Sequence, residues 1–175
     1  MKKSILFFIW FSSILIPLLS GCNTIDDERI PNMPVSINLD NIGLWNTYGV
    51  TGFGTSRRFI LDEGIRVPVG FPYSQTSATG YGGVLLISGM DPFTTTTDIP
   101  LAYDLACPVE RNRNIRVEID PDTYVAVCPE CGSTYDVTMA GGAPLSGPAM
   151  TGKYKYGLKN YVCYPTGSGG YRVTN

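Results

Sequence analysis

The chain has 175 residues, with 13 Lys and Arg against 15 Asp and Glu and no histidine. Its formal net charge of −2 and its lack of any basic cluster argue against a nucleic-acid partner. Without histidine there is no histidine general base, no Ser-His or Cys-His dyad and no histidine-ligated zinc.

Lys2 and Lys3 precede a mostly apolar run from Ile5 to Leu19, interrupted by Ser12, Ser13 and Pro17. That run is short for a membrane span and has the layout of a secretory signal. It ends in Leu19-Ser20-Gly21-Cys22, which resembles the lipobox of bacterial lipoproteins. The resemblance implies a signal peptide over residues 1–21, cleavage before Cys22, and acylation of Cys22. The expected location is then the bacterial cell envelope, with the lipid bilayer as partner through that cysteine. Two or more acyl chains make such attachment stable, where one is marginal. Residues 22–34 are polar, carry proline and show no periodicity, so a flexible tether is expected. Within it, Asp26-Asp27-Glu28 resembles the acidic export signal of Bacteroidetes lipoproteins, which would place the protein on the outer membrane. A solvated linker explains the same three residues equally well.

Residues 35–175 form one domain, large enough for a core. Val35-Ser36-Ile37-Asn38-Leu39 alternates apolar and polar with period two and predicts a half-buried strand. Residues 46–79 are less regular and predict one strand with a long loop. The apolar run from Gly83 to Ser88 suits a strand buried on both faces. Leu101 to Cys107, Ile115 to Ile119 and Tyr124 to Cys128 are further strand candidates. Tyr161 to Tyr164 and Tyr171 to Thr174 flank Thr166-Gly167-Ser168-Gly169-Gly170 and predict a closing hairpin. No helical stripe exceeds two turns, so the fold class is all-β, an antiparallel sandwich or barrel.

The chemistry-bearing residues are Cys107, Cys128 and Cys131. The stretch Cys128-Pro129-Glu130-Cys131-Gly132-Ser133-Thr134-Tyr135-Asp136 has the spacing of a metal-binding loop, with Cys107-Pro108-Val109 about twenty residues upstream. In order, Tyr103-Asp104, Cys107, Cys128, Gly132-Ser133, Tyr135-Asp136, Gly147-Pro148-Ala149 and Leu158-Lys159-Asn160-Tyr161-Val162-Cys163 resemble the Rieske [2Fe–2S] domain family. The resemblance covers roughly residues 81–175. It implies a base of antiparallel strands with a small two-loop cluster-binding subdomain, over about 104–149. It also implies second-shell hydroxyls at Ser133 and Tyr135 if a cluster is present.

Two departures from the family are equally specific. Val109 and Cys131 occupy the positions of the family's two histidine ligands, and valine cannot ligate. Glu110 or Glu130 is available as an oxygen donor, while Cys163 aligns with a base strand. Because the family's two cysteines hold the same iron, the resemblance implies neighbouring sulfurs and hence a Cys107–Cys128 disulfide in an oxidising compartment. It would close a loop of about twenty residues and stabilise by roughly 3 kcal/mol.

The expectation is therefore an envelope lipoprotein with a degenerate Rieske-like domain. It would be a binding or structural module, without a cofactor and without a catalytic residue. The alternative is an electron-transfer protein holding a modified [2Fe–2S] centre or a single metal ion through Cys107, Cys128 and Cys131. Thiol exchange at Cys128 and Cys131 is a third reading, disfavoured because the pair leads into a strand rather than a helix. Asp62, Glu63, Asp120 and Asp122 read as solvated turn residues. Tyr154, Tyr156, Tyr161, Tyr164 and Tyr171 read as cross-strand packing.

Overall fold

A computed structural model of the chain describes residues 30–90, 95–139, 141–153 and 155–175. The expected signal peptide, Cys22 and the acidic run lie outside the described residues. At Ile30 the chain is already packed against the domain, and the Lys159 ammonium donates to Pro31 O and Asn32 Oδ1.

The protein is all-β. Strand β1 (Val35–Asn41) buries Val35, Ile37 and Leu39 on one face, as the alternation requires. Helix α1 (Ile42–Tyr48) follows directly, capped by the Asn41 carboxamide, which accepts from Leu44 N–H at 2.9 Å. Residues 46–79 hold more than one strand and a loop. They contain the end of α1 and then β2 (Ser56–Asp62), β3 (Ile65–Val67) and β4 (Ala78–Thr79). Strands β5 (Val84–Met90) and β6 (Thr97–Asp104) form the longest pairing of the sheet. The expected closing hairpin is present as β11 (Asn160–Pro165) and β12 (Gly169–Thr174), with Tyr164 opposite Arg172. These eight strands make one antiparallel, curled half-barrel in the order β3-β2-β5-β6-β11-β12-β1-β4.

A second sheet of four short strands is inserted between β6 and β11. It comprises β7 (Glu118–Ile119), β8 (Ala126–Val127), β9 (Thr134–Asp136) and β10 (Ala143–Ser146), in the order β10-β9-β8-β7. One turn of helix, α2 (Pro148–Thr151), follows it.

Strand β5 shows why two cores form. Its residues from Val84 to Gly89 are all buried, and successive side chains point to opposite faces. Val84 and Leu86 enter a core with Ile37, Leu39, Trp45, Phe59 and Val173. Leu85 and Ile87 enter another, with Tyr103, Leu105, Val117, Tyr135, Val137 and Leu158. The second core is the seam between half-barrel and small sheet, and it contains Cys107 and Cys128.

Candidate metal centre

Two turns carry the three cysteines. Cys107 stands at the head of the first, three residues beyond β6. There its N–H donates to Ile115 O at 3.1 Å and its carbonyl accepts from Arg111 N at 2.9 Å. Cys128 follows β8 directly. Its N–H donates to Ser133 O at 2.9 Å, and its carbonyl accepts from Gly132 N at 3.0 Å. Gly132 has φ 68°, a conformation that costs glycine nothing. The turn thus folds Cys131 back over Cys128.

The result is a compact thiol cluster. The sulfurs of Cys107, Cys128 and Cys131 all lie within 4.8 Å of one another, and Cys107 Sγ is 3.7 Å from Cys131 Sγ. Cys107 and Cys128 are buried, while Cys131 is half-buried at the rim. Two hydroxyls lie beside the sulfurs. Tyr135 Oη lies 3.4 Å from Cys107 Sγ, and Cys131 Sγ donates to Ser133 Oγ at 3.2 Å. Ser133 Oγ also accepts from Ala149 N at 3.0 Å, so one hydroxyl joins the cysteine turn to α2. Gly147 makes that approach possible, since a Cβ there would stand 2.8 Å from Ser133 Cα. Pro148 is exposed, and it is Ala149 that packs beside the cysteines.

Two of the three thiols are buried, and burial favours neutral groups. Burial pushes the Cys128 thiol up from 9.0 to about 12, with the neighbouring Cys107 adding to the effect. Tyr135 is likewise raised, by burial first and then by its contact with Cys107. A metal cation arriving here would have to displace thiol protons, and it would in turn stabilise the thiolates it created.

The four described cysteines are free thiols, so the expected Cys107–Cys128 bridge is not formed in this structure. Val109 packs against the thiol-bearing core, so an apolar wall stands on the first turn. Cys163 packs instead against the other core, opposite Val173 in the β11–β12 pairing, and is no part of the cluster.

Asp104 is the residue whose role the sequence did not disclose. It is fully buried at the end of β6. Its carboxylate accepts from Tyr81 N at 2.9 Å, Gly82 N at 2.9 Å, Ala106 N at 2.7 Å and Tyr161 Oη at 2.5 Å. A buried charge is tolerable only with such a full set of donors. The one carboxylate inside the otherwise apolar Leu101–Cys107 run was the available signal. Through Ala106 it fixes the backbone immediately before Cys107. The same turn is tied to the half-barrel by Arg113 and Arg116, which reach Asp62 Oδ2 at 3.1 and 3.8 Å.

Compared with protein-family models and with curated proteins, the chain matches none.

Proposed function

We propose that this chain is a cell-envelope lipoprotein with a Rieske-like domain, in which a three-thiol site for one thiophilic metal ion replaces the two-iron cluster. The observation that carries the reading is the convergence of Cys107, Cys128 and Cys131 from two separate turns into one buried cluster. Three thiols held together at the edge of an apolar core suit a soft or borderline cation such as zinc, ferrous iron or cuprous copper. An ordinary Rieske [2Fe–2S] centre does not fit these residues. The second iron of such a centre needs two imidazoles, the chain has no histidine, and Val109 presents only methyl groups.

The small sheet serves as the holder of the site and the half-barrel as its base. Ser133 and Tyr135 supply hydroxyls to two of the three sulfurs and help hold them in register. Anchoring to the bilayer rests on the Leu19-Ser20-Gly21-Cys22 stretch.

The test is metal analysis of full-length protein purified without oxygen. One equivalent of metal that leaves with a chelator, exposing three further reactive thiols, is expected. A metal-free protein with a Cys107–Cys128 disulfide would overturn the reading. That outcome would favour a purely structural module, which the mutual proximity of these sulfurs also permits.

A further inference from the structure

The two cysteine turns are built alike, although the sequence gives one of them a single cysteine. In each, proline follows the first cysteine: Cys107-Pro108-Val109-Glu110-Arg111 and Cys128-Pro129-Glu130-Cys131-Gly132. In each, the cysteine carbonyl accepts from the N–H four residues on, at 2.9 Å from Arg111 and 3.0 Å from Gly132. In each, that fourth residue is left-handed, with φ 53° at Arg111 and 68° at Gly132. A positive φ is uncommon for arginine, so the first turn keeps this shape against a local preference.

Aligned on their first cysteine, the two turns set Glu110 in register with Cys131. In the second turn, the residue at that position sends its side chain back toward the cluster, and its sulfur reaches Cys107 Sγ at 3.7 Å. Glu110 is half-buried. Among the described residues, no hydrogen bond or ion pair holds its carboxylate, which lies outside the 4.8 Å cluster of the three sulfurs and would swing in to reach a metal held there. Glu130, the other nearby carboxylate, takes the position of Val109 and is exposed.

We infer that Glu110 supplies the fourth ligand of a mononuclear site completed by Cys107, Cys128 and Cys131. This inference rests on the metal-site reading proposed above and narrows it. Three thiolates and one carboxylate make a tetrahedral set for a divalent borderline ion, zinc first and ferrous iron second. Cuprous copper, satisfied by the three thiolates alone, would have no use for the carboxylate.

The experiment uses full-length protein in detergent, with zinc for affinity by chelator competition and cobalt as a spectroscopic substitute. Wild type is expected to bind one cobalt with the charge-transfer absorption of three thiolates. Glu110→Gln should weaken zinc binding roughly tenfold or more, since even outer-shell partners of a metal carry about that much. Glu110→Cys should add a fourth thiolate, raising the charge-transfer intensity by about a third. Because that change is a gain, a folding defect in Glu110→Gln cannot imitate it. Glu130→Gln should match wild type.

If wild type binds metal while both Glu110 variants keep its affinity and spectrum, the Glu110 assignment is wrong and the three-thiol reading stands. If Glu130→Gln weakens binding and Glu110→Gln does not, the assignment is again overturned. If wild type takes up neither zinc nor cobalt, the three-thiol reading itself falls, and this one with it.

Discussion

The two faces of the central sheet solve the same packing problem in different ways. On one face, the core is closed by large rings. Trp45 packs on Tyr171 at a 40° tilt with 4.4 Å between centroids, and Phe71 meets Phe59, Tyr48 and Tyr73 edge-on at 5.1, 5.3 and 4.7 Å. That face is a dense aromatic and aliphatic wall. On the other face, the core contains Cys107, Cys128 and Tyr135, with the Ser133 hydroxyl beside Cys131. Its strands are only two to four residues long, so ladder hydrogen bonds contribute little. Turns and side-chain hydrogen bonds hold it together instead. Aromatic packing makes the first face a foundation, and polar organisation makes the second a site.

Neighbouring residues of β5 separate the two. Leu86→Ala removes a fully buried side chain from the aromatic face, and about 2–5 kcal/mol of stability should go with it. Metal affinity of the folded fraction should not change, as chemical denaturation and chelator competition on one sample would establish. A matching loss of affinity would mean that the faces are not independent. The next largest effect is expected at the hinge between them. Asp104→Asn trades an acceptor-only group for one whose amide must face an N–H donor, at a cost of about 2–3 kcal/mol. Because Ala106 is one of its partners, this variant should also weaken metal binding.

Alkaline pH should act on the metal-free protein in a defined direction. Burial raises the Cys128 thiol from 9.0 to about 12, and it raises Cys163 by the same amount on the opposite face. A raised pKa means the folded state holds protons that the unfolded state has released. The stability these thiols contribute is therefore complete below pH 9 and is lost as pH rises toward 12. Denaturant midpoints of metal-free protein should fall across that window. Metal-loaded protein should lose less, because the Cys128 proton has already been displaced. The smallest effect belongs to Ser133→Ala, expected at about 1 kcal/mol from the lost Ala149 contact. Thermal unfolding would measure it, with the aromatic face unaffected.

The aromatic face was also the more legible in sequence. Alternation in Val35–Leu39, the apolar run through β5 and the glycine-rich closing hairpin each impose a pattern that burial explains. Helix α1 escaped because Ile42-Gly43-Leu44-Trp45-Asn46-Thr47-Tyr48 holds glycine and β-branched residues over barely two turns. Its signal was the Asn41 cap, and Trp45 is its sole buried residue. On the site face, the strand candidates Ile115–Ile119 and Tyr124–Cys128 shrink to the two-residue β7 and β8, and the cysteines showed through their spacing and the motifs around them. Spacing drew attention to Cys107, Cys128 and Cys131, and the resemblance to Rieske domains implied that Cys163 stands apart on a base strand. Neither could reveal that Asp104 gathers four donors, or that the two turns share one hydrogen-bonding plan. Both depend on backbone geometry, which no residue type spells out.

The central claim is that three thiols act as one metal-binding unit and the fourth does not. Zinc stoichiometry of anaerobically prepared wild type and of four single variants tests it directly. One zinc per chain is predicted for wild type and for Cys163→Ser. Cys107→Ser, Cys128→Ser and Cys131→Ser should each bind it far more weakly. The account is contradicted if wild type is metal-free with Cys107 and Cys128 recovered as one disulfide-linked peptide, or if zinc is retained whichever of the three is replaced.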